Sequence, residues 1–345
     1  WKETVHVPDL SVCTGGWEEC RAQMRAAADA EGRLLAGFMG TGIFEQCHFL
    51  MGFEDTLTAL YEHPDEMHEL IEAITQYRLD YVRRLIDGLQ PDVIFSHDDW
   101  GTKNALFMKP EMWREFFKEP YRRFYGYIRS RGIIAIHHAD SYLVPIVDDM
   151  AEIGIQVWQG VLPENDIPAL QRHLNGKLTL MGGFGAAIDR ADAQPDEILA
   201  YARDALARYC PGGHFIPSIT YGIPGTVFPH VDQYLDQAVN EYNAGLHIPV
   251  SPLPAVPKRK IGEAKTETVQ AAASAQESAD IFELIARAIE RGQQKKLLAL
   301  CQQALDEGHG PSTILSRGMI VGMNRLGEAF SANRAFVPEM LMAAR

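Results

Sequence analysis

Short apolar runs alternate with segments of helical periodicity along most of the chain, from residue 34 onward. The apolar runs predict six β-strands, at residues 34–39, 93–96, 133–136, 155–158, 178–181 and 214–218. Between them the apolar positions recur every three or four residues, which predicts helices such as 55–62, 64–88, 110–131 and 195–209. This alternation of strands and helices predicts an α/β fold with a parallel sheet.

The number of strands limits the choice of architecture. Six strand–helix units make either an open sheet or most of a (β/α)8 TIM barrel. Closing such a barrel needs two further strands, and residues 4–7 are a poor source for even one of them. We therefore expect an N-terminal part of the barrel to lie outside this sequence.

The chain changes character after residue 245. Residues 246–276 begin with four prolines in a dozen positions and continue as a stretch rich in Ala, Thr, Gln and Ser, which indicates a linker. Three helical segments follow, at 277–291, 293–307 and 311–331. The sequence thus predicts a barrel domain at 1–245, a linker at 246–276 and a small all-α module at 277–345.

The last long helix carries an apolar stripe. The stripe, spaced i, i+4, i+7 and i+11, consists of Met319, Met323, Leu326 and Phe330. On periodicity alone it predicts one buried face in a plain helical bundle.

Composition narrows the possible partners. The formal net charge of -14 argues against binding to nucleic acid or to an anionic membrane surface. The five cysteines form no CxxC pair, so a disulfide framework is not indicated and a reducing cytoplasm fits best. No apolar run approaches the roughly 18 residues that a membrane-spanning helix requires.

Polar residues follow the predicted strands at the edge where parallel barrels carry their active sites. Six of them come from two strand ends: His97, Asp98, Asp99, His137, His138 and Asp140. Imidazoles and carboxylates in such a cluster suit a zinc or similar divalent ion, and they equally suit general acid–base catalysis without a metal. Because side chains alternate along a strand, His138 and Asp140 should share one face while His137 lies on the other.

Each of these features also has a structural interpretation. A histidine at a strand end is often held only by hydrogen bonds, and the two adjacent aspartates could cap the segment that follows them. Gly182 and Gly183 could serve tight packing or a turn, or could leave room for a ligand. Tyr221 is either a wall of the pocket or a proton donor.

Three stretches carry a resemblance to a known family. They are "HDDWGTKNALFMKPEMWREFFKEPYRRFYGYIRSRG", "IHHADSYLVPIVDDMAEIGIQVWQG" and "GGHFIPSITYGIPG". Across residues 34–243 the chain resembles the uroporphyrinogen decarboxylase superfamily, and within it the corrinoid-dependent methyltransferase branch. The resemblance implies a TIM barrel.

The tail is similar to a second family. "GPSTILSRGMIVGMNRLGEAFSANRAFVPEMLMAA" resembles the helical cap that precedes the cobalamin-binding domain of corrinoid proteins, as in methanol-type methyltransferases and methionine synthase. In that family the cap lies over the methyl-bearing face of the corrin. The resemblance therefore implies that Met319, Met323, Leu326 and Phe330 contact cobalamin.

The chain departs from these families in two respects. Thiol-activating members hold zinc with a His-x-Cys pair and a distant Cys, whereas we match these positions to His137, Ala139 and Tyr221. A metal here would need nitrogen and oxygen ligands instead: His137 or His138 with Asp140, together with His97, Asp98 or Asp99. The Asp-x-His-x-x-Gly segment whose histidine binds cobalt does not occur in this sequence, so we expect the corrinoid domain to lie further along the chain or in a separate protein.

Together these features favour a cytoplasmic, corrinoid-dependent methyltransferase that moves a methyl group between cobalt and a small non-thiol substrate such as an O-methyl compound. The catalytic candidates, which would polarise or protonate the leaving heteroatom or line the pocket, are His137, His138, Asp140, Asp98, Asp99 and Tyr221. A uroporphyrinogen decarboxylase is the alternative enzyme, although no arginine cluster follows a strand here to neutralise its polycarboxylate substrate. A non-catalytic corrinoid carrier is the third possibility.

Overall fold

A computed structural model of the protein describes residues 1–12, 15–220, 227–245 and 280–344. Within them two compact units can be distinguished. The first contains Trp1–Leu50, Asp65–Leu106 and the described residues of Pro110–Gly262, and the second contains Met51–Pro64, Phe107–Lys109 and the described residues of Glu263–Arg345. The linker at 246–276 and Tyr221 lie outside the described residues.

The first unit is built on one parallel sheet of six strands in chain order, which confirms the predicted α/β fold and places each strand near its predicted position. The strands are β1 (Ala36–Met39), β2 (Val93–His97), β3 (Ile134–His138), β4 (Val157–Val161), β5 (Thr179–Phe184) and β6 (Phe215–Ile219). A parallel sheet in chain order with helical connections is a TIM-barrel-like arrangement.

Helices precede, connect and follow the strands. Those of the first half of the chain are α1 (Trp17–Ala30), α2 (Ile43–Met51), α3 (Phe53–Glu62), α4 (Pro64–Leu89), α5 (Pro110–Trp113) and α6 (Glu119–Ser130), with a π-helical turn at Arg114–Lys118. Then follow α7 (Val147–Glu152), α8 (Ile167–Leu174), α9 (Pro195–Tyr209) and α10 (Pro229–Asn243). Among the described residues, no helix is both long enough and apolar enough to cross a membrane.

The two faces of the sheet differ. One face packs against helices: a Cβ added to Gly37 would lie 2.9 Å from Ile94 Cδ1 and 3.1 Å from Leu85 Cδ2 of α4. Alternation along the strands places Phe38, Phe95, His138 and Ile216 on the opposite side, which we call the open face. Phe38 is 62% exposed and Ile216 42% exposed there.

The second unit is helical. Its last helices are α11 (Ile281–Glu290), α12 (Gln294–Asp306), α13 (Pro311–Ile314), α14 (Ile320–Ser331) and α15 (Val337–Ala344), and a π-helical turn at Leu315–Met319 joins α13 to α14. Ile281, Ile285, Leu300 and Ile314 form its buried core with their neighbours.

The same unit also includes α3, from much earlier in the chain. The Glu339 carboxylate of α15 accepts a hydrogen bond from the Tyr61 hydroxyl at 2.5 Å and lies 2.6 Å from Lys109 Nζ. The sequence prediction divides the chain only at the linker, so it does not group α3 with the C-terminal helices. The predicted domain boundaries themselves stay a prediction.

Candidate functional site

Three neighbouring strands bring polar side chains together at their carboxyl ends. In the register of the sheet His97 pairs with His138, and His138 pairs with Gln159. The three side chains therefore stand side by side on the open face. This edge is where the sequence predicted the site.

The two imidazoles are stacked and tied at one nitrogen each. Their ring centroids are 4.7 Å apart and their planes differ by 13°. Nδ1 of His97 lies 2.9 Å from Glu45 Oε2, and Nδ1 of His138 is hydrogen-bonded to Gln159 Oε1. Neither of these two bonds uses Nε2, and Nε2 of His97 is 3.9 Å from Asp99 Oδ2.

These residues provide a set of donor atoms suited to a metal ion. His97, Asp99 and His138, which we call the trio, each offer one ligand atom, and these atoms lie within 4.8 Å of one another in a half-buried position. Two imidazoles and a carboxylate, with room left for a water or a substrate, are the ligands of catalytic zinc sites. The bonds from Glu45 and Gln159 are the outer contacts that fix the orientation of metal-binding histidines. The residues present thus fit a divalent ion.

The electrostatics of the site favour an ion pair between Glu45 and His97. Burial raises the pKa of Glu45, but the hydrogen bond and charge of His97 outweigh burial and leave this pKa below its ordinary value. Burial lowers the pKa of His97, but Glu45 reverses this effect and leaves the pKa raised. Burial and the charge of Asp140 raise the pKa of Asp99.

Asp98 lies apart from the trio, although it is next to it in sequence. Its side chain is fully buried and accepts hydrogen bonds from Phe44 N at 3.0 Å, Glu45 N at 2.9 Å and Trp100 Nε1 at 3.1 Å. The Tyr121 hydroxyl also donates to it. Burial and the charge of Glu45 raise the pKa of Asp98 to about 8, against the effect of the backbone donors. Because all four partners donate, Asp98 acts as the acceptor that holds the start of α2 in place.

His137 lies on the opposite face of β3, as alternation predicted. It is fully buried, its ring stacks on Trp100 at 4.0 Å, and its Nδ1 is 2.6 Å from the Tyr125 hydroxyl. Burial and the nearby cations hold its pKa well below the usual value, so the ring is neutral. The structure therefore does not bring His137 together with His97 and His138.

The remaining strand-end candidates fall in different places. The backbone N–H of Asp140 donates to Asp99 Oδ1 at 3.1 Å, which places Asp140 beside the trio. A Cβ on Gly182 would lie 2.6 Å from Val161 O, and one on Gly183 would lie 2.8 Å from the Phe215 ring, so both glycines serve close packing.

Two residues of the network were not anticipated from the sequence. Glu45 lies near the start of α2, and Arg78 of α4 is 4% exposed and donates to Gly40 O at 3.2 Å and to Thr41 O. The sequence feature that could have pointed to Glu45 is the Gly40-Thr41-Gly42 turn after β1, since a tight turn at the carboxyl end of a strand brings the next residues to the site. A carboxylate three residues beyond that turn was a candidate.

The four residues of the tail stripe are not equally buried. Leu326 is 4% exposed, Met319 and Met323 are half-buried, and Phe330 is 41% exposed, so the expectation of one buried stripe was wrong. The physical reason is that α14 approaches α11 through glycine: a Cβ on Gly322 would lie 2.6 Å from a backbone oxygen of α11. The apolar side chains left accessible suit the hydrophobic face of a large planar cofactor such as a corrin.

Comparison with known proteins gives a family match for each of two regions of the chain. Residues 20–242 match the family described as uroporphyrinogen decarboxylase (URO-D), and residues 281–345 match the B12 binding domain. Uroporphyrinogen decarboxylase from Ralstonia pickettii is 26% identical over 262 residues, covering 70% of this chain and 67% of that protein. Uroporphyrinogen decarboxylase from Coxiella burnetii is 23% identical over 233 residues, covering 63% of this chain and 60% of that protein. The matches thus span 60–67% of the length of these relatives.

Two further comparisons are with a corrinoid protein and with a methyltransferase. Monomethylamine corrinoid protein 1 from Methanosarcina acetivorans is 33% identical over 66 residues, which are 19% of this chain and 30% of that protein. A solved methyltransferase from Methanosarcina mazei superimposes with a TM-score of 0.55 at 19% identity, covering 70% of this chain and 69% of that one. The second comparison shows a shared fold.

Proposed function

The chain belongs to the uroporphyrinogen decarboxylase (URO-D) family. Because its residues 281–345 also match the B12 binding domain, we propose that it is a corrinoid-dependent methyltransferase. It moves a methyl group between a small non-thiol methyl donor and the cobalt of a cobalamin. The observation that supports this proposal is the trio at the strand ends, in a chain whose residues 281–345 match the B12 binding domain.

The trio binds and orients the methyl donor. Glu45 holds His97 by its Nδ1, and Gln159 holds His138 in the same way, so the free Nε2 atoms share one space with the Asp99 carboxylate. A divalent ion such as zinc bound there would supply a Lewis acid for the heteroatom that carries the methyl group. Asp140 adds a further carboxylate beside Asp99.

The helical region binds the methyl acceptor. A bound corrinoid supplies the cobalt that exchanges the methyl group. Met319, Met323 and Phe330 are the partly accessible apolar side chains that would contact it, whereas Leu326 is buried within the helical unit. Having both binding regions on one chain raises the effective concentration of one reactant for the other.

Decarboxylation is the second candidate, since the relatives that match the sheet-containing part of the chain include uroporphyrinogen decarboxylases. The charge of the site argues against it. The site already holds the carboxylates of Glu45, Asp99 and Asp140, and one divalent ion on the trio would not balance both these and a polycarboxylate substrate.

The test combines methyl transfer with metal binding. The full chain is incubated with cob(I)alamin and a panel of methyl donors, and methylcobalamin is followed by its visible spectrum. Zinc content is measured after equilibrium dialysis. We expect His138→Ala and Asp99→Asn to lose zinc and methyl transfer together.

His173→Ala is the matched control, because His173 is also paired with an aspartate, 2.9 Å from Asp148, but on the surface. It should retain both zinc and activity. Wild-type zinc content and transfer in His138→Ala would refute the assigned site. Conversion of uroporphyrinogen without methyl transfer would favour the decarboxylase, and cobalamin binding without either reaction would favour a carrier.

A further inference from the structure

Arg78 of α4 is a buried cation whose hydrogen-bond partners, among the described residues, are all uncharged. It is 4% exposed, and its guanidinium donates to Gly40 O, to Thr41 O and, at 3.3 Å, to Ser96 Oγ. The centre of the Phe124 ring lies 5.1 Å from its Cζ. A buried charge is costly unless it is both paired and hydrogen-bonded, so packing alone does not account for an arginine at this position.

Two of these contacts hold a strained turn. The turn consists of Gly40, Thr41 and Gly42 and joins β1 to α2, and Thr41 has a φ of +49°. A β-branched residue rarely adopts this left-handed conformation, which persists only where surrounding contacts enforce it. Arg78 donates to the carbonyl oxygens of Gly40 and Thr41 themselves. It is therefore placed to keep the turn in this conformation.

The turn in its place sets the position of Glu45 at the start of α2. Gly42 N donates to Glu45 Oε2 at 3.3 Å, which is one of the two reciprocal contacts of a helix capping box. The same carboxylate oxygen lies 2.9 Å from Nδ1 of His97. A shift of the turn would thus move Glu45 and, with it, the contact that orients the His97 ring.

We propose, resting on the proposed function, that Arg78 is a positioning residue for the metal ligand His97. It holds the turn between β1 and α2, so that Glu45 stands where it fixes the His97 ring. The effect of Arg78 on a bound ion is thus indirect. His138 is oriented by a different route, through Gln159 of β4, which does not involve the turn.

The planar guanidinium also ties the turn to the strand that carries His97. Nη1 of Arg78 donates to the turn, while Nη2 donates to Ser96, which precedes His97 in β2. An ammonium group is a single point of charge and does not reproduce this fork. Arg78→Lys should therefore retain only part of the effect.

The experiment measures the zinc affinity of the full chain, without corrinoid or methyl donor, by competition with a chromogenic chelator. Arg78→Met keeps much of the side-chain volume and removes every donor. We expect it to bind zinc about tenfold more weakly, the low end of the range for outer contacts of a metal site, and Arg78→Lys to lie between it and the unaltered protein. Val82→Ala, one turn further along α4 and fully buried, controls for general destabilisation and should keep the original affinity.

A double-mutant cycle separates positioning from a general loss of structure. Glu45→Ala should weaken zinc binding about ten- to a hundredfold, and adding Arg78→Met to it should change the affinity by less than about twofold. Added to Gln159→Ala, Arg78→Met should keep its full effect of about tenfold, because Gln159 orients the other histidine. Dependence on Glu45 alone is the pattern that a purely structural role would not produce.

Relief of the strain at Thr41 gives a second readout. Glycine adopts a positive φ without the steric cost, so a turn with Thr41→Gly needs less support from Arg78. Added to Arg78→Met, it should restore about threefold or more of the lost zinc affinity. If Arg78→Met does not fold, Arg78→Lys takes its place, and the same pattern is expected at smaller amplitude.

The outcomes separate this inference from the proposed function. Unchanged zinc affinity in Arg78→Met, an equal loss in Val82→Ala, or an undiminished effect of Arg78→Met in the Glu45→Ala background overturns the inference and leaves the methyltransferase standing. A failure of the unaltered protein to bind zinc overturns both. The expected cycle without methyl transfer from any donor supports the inference and refutes the methyltransferase.

Discussion

Replacement of Asp98 by alanine tests whether the adjacent aspartates at the end of β2 have different roles. The change removes the acceptor of three N–H donors, those of Phe44, Glu45 and Trp100, in a fully buried place. Each buried donor left without a partner costs about 1–3 kcal/mol. Even at the low end, three orphaned donors give a loss of roughly 3 kcal/mol in the free energy of unfolding.

The neighbouring aspartate supplies the control. Asp99 is 29% exposed in its side chain and accepts one backbone hydrogen bond, from Asp140. Asp99→Ala should therefore cost no more than about 1.5 kcal/mol in the absence of metal, the value of a single ordinary hydrogen bond. The sequence alone treats the two residues as equivalent.

The assay is unfolding by urea and by heat, followed by circular dichroism in the presence of a chelator. About 3 kcal/mol corresponds to a fall in Tm of roughly 6–12 °C for a domain of 150–250 residues. Asp98→Asn should fall between the two alanine variants, because it keeps one acceptor oxygen. Equal losses for Asp98→Ala and Asp99→Ala would refute the structural role assigned to Asp98.

Three further predictions concern other parts of the structure. His137→Leu should keep its zinc content by dialysis, because His137 faces away from the trio; loss of zinc would contradict that placement. Gly42→Ala should destabilise the protein by about 3 kcal/mol or more, since the new Cβ would lie 2.1 Å from Asp98. Gly126→Ala, with open space around it, should leave the stability unchanged. Coinciding unfolding curves for the two variants would show that Asp98 does not lie against Gly42. Tyr61→Phe should speed hydrogen exchange in α15 about tenfold or more, because a bond to a charged acceptor is worth about 1.5–3 kcal/mol; unchanged exchange would show that this bond does not stabilise α15.

Part of the site could be predicted because strand direction and alternation are local properties. The ends of β2 and β3 carry the polar residues that the sequence singled out, and the two histidines of β3 point to opposite faces as expected. The choice among them was not local. Asp99 joins the trio and Asp98 does not, because only Asp98 meets the donors at the start of α2.

The sequence by itself determined the order and type of the elements, since the spacing of apolar side chains reflects the repeat of each helix or strand whatever surrounds it. The tertiary structure alone decided which distant residues meet. Glu45 reaches His97 across 52 positions of the chain, and Tyr61 reaches Glu339 across 278. Such contacts depend on strand register and on the packing of helices, and periodicity along a single segment contains no information about either.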